Sequence, residues 1–495
     1  MALLTFSLVN TLGLAAGLLF AYVFGHVFYN LYIHPLRRFP GPFWMRATWI
    51  PFCYKLCTGT LPYDTLELHR KYGMVVRVGP DELAFQDSRA WKDIMGHRPN
   101  GGAEMDKSQK FYRAVPGAPS DIVNSGREEH STLRRSLAHG FSERSMRDQQ
   151  PIIKQYIDLL MKRLHEHGDK GKPLDLCAWY NYTTFDIIGD LAFGESFGCL
   201  DGSDYHPWVR SIFQMARVGT ILQVATHYPW IMPIMMAMVP KKVMEERENH
   251  ENFTKAKLQR RMELGQERPD LIEGLLKKKD DWNMTFDKLK ANSSILIIGG
   301  SETTATLLSG VTYFLLTNPK ALQKLTDEVR SSFKDESEID FQSVSNLPYL
   351  LACLEEALRM YPPVPIGLPR IVPKGGASIV DTYVPEGTTV SITQWAMYYS
   401  EKNFTDPKNY HPERWLGDPA FANDNKEAFQ PFHLGPRNCI GRNLAYVEMR
   451  IILTRMLWNF DMKIADDSLD WVGRQKIYLL WEKGPLNVHL TPVKR

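Results

Sequence analysis

The first 36 residues contain no Asp, Glu, Lys or Arg. Within them "LVNTLGLAAGLLFAYVFGHVFYNLYI" is apolar over a length that crosses a bilayer. No small-residue cleavage site follows, so a retained anchor is predicted rather than a removed signal peptide. Arg37, Arg38 and Arg46 come next and place the rest of the chain on the cytoplasmic side. The proline-rich "FPGPF" (Phe39 to Phe43) then separates an anchor, residues 1–36, from a body, residues 37–495.

In the body the pattern first alternates. "VVRVGPDELAF" (Val75 to Phe85) predicts two short strands around a Gly-Pro-Asp turn. Helical spacing then dominates. "YNYTTFDIIGDLAFGESFG" (Tyr180 to Gly198) predicts a buried helix ending in glycine turns. "YPWIMPIMMAMVP" (Tyr228 to Pro240) is uncharged and methionine-rich; it reads as core or loop, or as a flexible apolar wall that touches the membrane. The longest pattern runs from Phe286 to Pro319. Thr285 is placed to cap it, Asn318-Pro319 ends it, and its middle is apolar on nearly all sides, which predicts a helix through the core. After about residue 361, prolines, glycines and short β-like runs take over, followed by one amphipathic helix from Gly441 to about Phe460. The fold class is mainly α with a small β portion.

Composition narrows the classes. The chain has 495 residues, 44% hydrophobic, with a formal net charge of +3. That supplies a large core and no long basic block for nucleic acid. Cys53, Cys57, Cys177, Cys199, Cys353 and Cys439 are scattered, without a CxxC pair, which does not resemble a disulfide framework or a thiolate cluster. Sequons at Asn181 and Asn292 are chance matches on a cytoplasmic body.

Three stretches carry candidate chemistry. In the long helix, Gly299 and Gly300 each cost about 1 kcal/mol relative to alanine. Glu302 and Thr303 follow, and Thr303 is placed to hydrogen-bond the Gly299 carbonyl. A widened turn with an acid and a hydroxyl would form a water and proton relay; a satisfied polar notch in helix packing is the plainer reading. In "EALR", Glu356 and Arg359 share a helix face, and "HPERW" adds Arg414, predicting an ion-paired staple on a buried Glu356. In "PFHLGPRNCIG", Cys439 falls just before a helix N-terminus, beside Arg437, with Gly435 and Gly441 permitting close approach. The helix end is expected to lower the thiol's pKa. Such a thiolate would serve as a nucleophile with His433 as base, or as a single axial ligand to haem iron.

"FHLGPRNCIG" resembles the cysteine-ligand loop of the cytochromes P-450, the haem-thiolate monooxygenases, at Phe432, Gly435, Arg437, Cys439 and Gly441. "GGSETT" resembles their oxygen-activation segment, "EALR" their ExxR motif and "PERW" its partner, all in family order over nearly the whole chain. The resemblance implies the P-450 fold as one catalytic domain behind the transmembrane helix. It implies haem b (iron protoporphyrin IX) with Cys439 as iron ligand, Phe432 and Gly441 packed beside it, and Arg437, His130, Arg134 and Arg370 toward the propionates. Many members have tryptophan where His130 stands. Glu302 and Thr303 become the catalytic acid–alcohol pair, which favours O2-dependent monooxygenation over peroxide rearrangement.

The same resemblance implies an endoplasmic-reticulum location and electrons from NADPH through a separate reductase, with cytochrome b5 as a second donor; no flavin domain occurs in the sequence. Arg442 is a candidate docking residue. "YGMVVRVGPDELAF" and "TFDIIGDLAFGESFG" resemble filamentous-fungal members, trichothecene-skeleton hydroxylases among them. A lipophilic polyketide or terpenoid is then expected against residues 97–125, residues 205–240, the Gly299 side of the helix, and "VPIGLP" (Val364 to Pro369). Alternatives are xenobiotic, fatty-acid or sterol oxidation, a haem or ligand binder without turnover, and a haem-free thiol enzyme.

Overall fold

The computed structural model describes residues 2–98, 104–113, 117, 119–168, 171–206, 217, 219–237, 241–265, 268–277 and 284–494. It is mainly helical with several small sheets. The parts of the expected substrate walls at 99–103, 114–116, 118, 207–216, 218 and 238–240 lie outside the described residues.

The N-terminal helix runs Ala2–Phe28, and Val9–Ile33 is a candidate membrane span with none of its apolar window buried. Burial begins at Asn30 and Leu31, and Leu36 and Phe39 are packed into the body. Arg77 fastens this junction. Its buried guanidinium donates to the carbonyls of Asn30 (2.8 Å) and Pro80 (3.0 Å from Nε).

Five strands form the main sheet: β1 (Val75–Gly79), β2 (Glu82–Phe85), β3 (Asp106–Lys107), β4 (Arg370–Ile371) and β5 (Thr389–Ser391), in the order β1-β2-β5-β4-β3. The β1–β2 hairpin turns at the Gly-Pro-Asp of the sequence, and β2 pairs with β5 in parallel. Leu83, Phe85, Val390 and Ile392 cover one face with an apolar cluster.

The larger core surrounds the central helix, Phe286–Thr317, which Thr285 caps through the Lys288 amide (3.3 Å). The helix Leu176–Phe193 lies against it, starting four residues before Tyr180 because Asp175 caps its first amides, and ending at Gly194 in the left-handed region. A Cβ on Gly300 would stand 2.6 Å from Ile188 Cδ1, so that glycine sets the closeness of these two helices. The central helix is continuous; the widened turn expected near Gly299 is absent. Thr303 and Ser301 donate to carbonyls four residues back (both 2.6 Å) in addition to the helix's own amides, without displacing them. Asn181 and Asn292 are buried, which closes both sequons to glycosylation.

The segment after Tyr228 is not core. It forms a 3-10 turn, Pro229–Ile231, and a short helix, Met232–Ala237, with Trp230 69% and Ile234 54% exposed.

The staple forms as expected. Glu356 accepts from Arg359 (3.0 and 2.7 Å), Arg414 (3.2 Å) and the Trp415 indole (2.9 Å), with both arginines fully buried. Arg359 directs its remaining donors to the carbonyls of Tyr398, Pro407 and Asn409, and Arg414 to that of Thr405 and the Asp424 carboxylate. This knot ties the helix Pro348–Met360 to the loops leading toward Cys439.

Candidate active site

Cys439 sits on a loop clamped from three sides. Its amide donates to the Phe432 carbonyl (2.9 Å). Gly435 takes φ +80°, and a Cβ there would strike the Met95 carbonyl, so the turn demands glycine. Arg134 donates to the Asn438 carbonyl (2.6 Å) and side-chain oxygen (2.5 Å). Gly441 begins the helix Arg442–Asn459, and its missing side chain leaves room 4.0 Å from the Cys439 sulfur.

The thiol opens into a cavity of about 240 Å³ between this loop and the central helix. Gly299, Gly300, Thr303 and Thr304 form the opposite wall; Phe432, Ile440 and Leu444 flank the cysteine. A Cβ on Gly299 would meet nothing within 4 Å, so this glycine enlarges the cavity rather than relieving a clash.

One end of the cavity is cationic. Lys107, His130, Arg134 and Arg437 line it, with Arg370 just behind, paired strand to strand with Lys107. The one carboxylate ion-paired into this group among the described residues is Glu104, on Arg437 (2.6 Å). Arg370 Nε is buried without a hydrogen-bond partner among the described residues. Burial pushes His130 down to about 3, helped by Arg437, Lys107 and Arg134, so it is neutral. Burial and the neighbouring Arg370 and Arg437 push Lys107 down to about 7. Confining so much like charge is unfavourable unless an anion joins it. Lys107 was not visible as a site residue, because it lies on a two-residue strand with no periodicity to read.

Burial holds the Cys439 thiol above its usual range, against the opposing pull of the Gly441 amide and of Arg134 and Arg442. The expected depression by the helix end is present as that amide contact but loses to desolvation. A metal ion bound at the sulfur reverses that balance, since a coordinating thiol is deprotonated. His433 does not serve as a base here. It makes no hydrogen bond to Cys439, its ring stands edge-on to Trp91 (5.0 Å), and burial pushes it down to about 3.

Glu302 and Thr303 part company. Thr303 faces the Cys439 cavity. Glu302, about a quarter-turn round the helix from the Gly299–Thr303 stripe, points instead to a separate cavity of about 510 Å³. There Lys483 Nζ holds its Oε1 at 2.5 Å and also donates to Thr306 (2.6 Å). Glu302 Oε2 is buried without a hydrogen-bond partner among the described residues. Glu448 lies nine residues after Cys439, on the helix that follows it. It is bonded by Thr304 and pushed up to about 8 by burial.

These residues fit a flat dianionic prosthetic group whose metal takes one thiolate. The cations sit at one end, the glycine-lined helix on one side and the sulfur on the other. Among the described residues no group of three or more His, Cys, Asp or Glu is placed to hold a bare metal ion.

Comparison with known proteins gives the class. The cytochrome P-450 family profile matches residues 39–488, and the chain belongs to that family. It is 50% identical over 484 residues to the cytochrome P-450 monooxygenase tpeC of Talaromyces stipitatus, covering 97% of this chain and 95% of that one. It is 45% identical to the trichothecene C-15 hydroxylase of Fusarium sporotrichioides, over 98% and 99% of the two chains. It is 44% identical to the averantin hydroxylase of Dothistroma septosporum, over 96% and 90%. The protein is therefore a cytochrome P-450 monooxygenase. The family implies a haem-thiolate cofactor, electrons from a redox partner and a small-molecule substrate.

Proposed function

We propose that this enzyme hydroxylates a lipophilic polyketide or terpenoid intermediate, with NADPH as electron source through a membrane-bound reductase. The observation that carries the reading is one cavity with the Cys439 thiol on one wall, the Thr303 hydroxyl on the other and a cationic end. Relatives of similar length are named as hydroxylases of a trichothecene and of averantin, and they support the substrate class.

In this reading haem b supplies O2 activation when bound. Cys439 holds the iron, while Phe432 and Gly441 shape the space beside the sulfur. Arg437, Arg134, His130, Arg370 and Lys107 receive the propionates, by charge or, for neutral His130, by an N–H. The Thr303 hydroxyl donates to the Gly299 carbonyl, so its oxygen presents lone pairs to the cavity and can hold a water there as the proton donor. Ile122, Ile295 and Leu296 keep the cavity dry. Glu302 takes part only after leaving Lys483, so the acid of the pair is a gated donor. The apolar N-terminal helix anchors the enzyme in the endoplasmic reticulum with residues 37–495 facing the cytoplasm.

The test is deletion of the gene in its own organism. The expected result is accumulation of a metabolite one oxygen atom poorer than the normal product. Fed to the recombinant enzyme with reductase, NADPH and 18O2, that metabolite gains one labelled atom. Unchanged metabolites, or label taken from water, defeats the proposal.

A further inference from the structure

The main sheet presents two unlike faces. Strand side chains alternate. Leu83, Phe85 and Val390 point into the apolar cluster on one side. Glu82, Ala84 and Ser391 point the other way, in register as Glu82 with Thr389 and Ala84 with Ser391. That second face meets the helices Ile50–Thr58 and Leu61–Tyr72 and encloses a cavity of about 60 Å³. Its walls include Phe52, Leu56, Phe111 and Ile366; its polar groups include Glu82, Ser391 and Thr393.

Glu82 is out of place there. It is 8% exposed, in the middle of a sheet, against an apolar wall. Among the described residues its carboxyl receives one hydrogen bond, a long one from Ser391 (3.3 Å). Among the described residues it has no ion pair; nearby Lys110 is held by Asp81 instead (3.2 Å). Burying an under-bonded carboxyl is costly, and such groups are completed by something that enters. Burial, with Asp81 close by, pushes Glu82 up to about 7, so near neutrality it offers both a donor and an acceptor.

The cavity adjoins the expected substrate wall. Ile366, Gly367 and Pro369 of the "VPIGLP" stretch line it, and Gly367 bridges to Thr393. Gln223 and Tyr478, from two further segments, close it.

We propose that this cavity is a recognition pocket for an oxygen function, a hydroxyl or carbonyl, on the lipophilic substrate, with the Glu82 carboxyl and the Ser391 hydroxyl as its hydrogen-bonding pair. Specificity then comes from a site remote from the cysteine: a molecule lacking the oxygen function leaves Glu82 unpaired and binds less well. Without ligand, a cavity of this size holds a few waters. The inference rests on the monooxygenase reading for the identity of the ligand as substrate.

The test uses the full-length protein in detergent and two probes, the sesquiterpene alcohol farnesol and the hydrocarbon farnesene, by isothermal titration calorimetry. Wild type is expected to prefer the alcohol. Glu82→Leu should weaken farnesol about tenfold and leave farnesene within about twofold, with Glu82→Gln recovering most of the loss. Ser391→Ala, a smaller change less prone to misfolding, should weaken farnesol alone by about threefold. Equal binding of the two probes by wild type, or equal loss of both in folded variants, overturns the pocket. The carbon monoxide spectrum of the same preparation reads the monooxygenase assignment separately, since calorimetry at Glu82 does not depend on it.

Discussion

Lys483 and Glu302 form a buried ion pair 181 positions apart in sequence, with side-chain exposures of 6% and 2%. Lys483→Met removes the charge and keeps the volume. Among the described residues Glu302 is then left with Thr306 at 3.3 Å on one oxygen and no partner on the other. Breaking one side of a buried pair costs about 3–5 kcal/mol. Thr306 stays, so the lower end, about 3 kcal/mol, is expected. Glu302→Gln leaves the ammonium uncompensated and should cost about as much. The double variant removes both charges together, and its loss should be smaller than the sum by about 2 kcal/mol. The assay is urea unfolding followed by tryptophan fluorescence, comparing midpoints at constant slope. Losses that add to within about 0.5 kcal/mol would refute the coupling, and with it the view that Lys483 holds Glu302 away from the Cys439 cavity.

Other perturbations read other parts. Thr303→Ala keeps the helix but removes the hydroxyl facing the cavity; NADPH consumption should persist while product per NADPH falls severalfold and hydrogen peroxide rises, and tight coupling in the variant contradicts the role of Thr303. Arg134→Leu removes both bonds to Asn438, so haem should dissociate faster from the variant, measured by transfer to apomyoglobin. Glu448 has its folded pKa raised to about 8 from an ordinary carboxyl value, so it contributes stability that is complete below pH 4.5 and lost as pH rises toward 8. Glu448→Gln should therefore melt above the parent at pH 8 and close to it at the acid end. A parent whose melting temperature rises over that window relative to the variant reverses the sign and rejects the assignment.

Much of the site was legible because its signals are local. The glycines and arginine around Cys439 mark a tight loop before a helix, and the structure forms one. Glu356 and Arg359 at i,i+3 need only one helix to meet, and Arg414 joins them through a short motif. Orientation within the central helix was half legible. The stripe of Gly299, Gly300, Thr303 and Thr304 follows from helical spacing, and the same spacing turns Glu302 off that stripe. What holds Glu302 there was not legible, because Lys483 arrives from just after the paired strands Lys476–Ile477 and Trp481–Glu482, and no pattern in either segment announces the other. Lys107 was missed for a related reason, since its place is fixed by pairing with Arg370 across the sheet. The thiol's environment was misjudged in sign. A helix N-terminus can be inferred from sequence, but the desolvation that outweighs it exists only once the walls are assembled.

The central claim is that Cys439 is the iron ligand of a haem held in this cavity. The most direct measurement is the absorption spectrum of the purified, dithionite-reduced full-length protein under carbon monoxide, beside Cys439→Ala. The account predicts a strongly red-shifted Soret band in the parent and its absence in the variant. A band at the ordinary histidine-ligated position in folded parent protein, or a red-shifted band that survives the substitution, would contradict it.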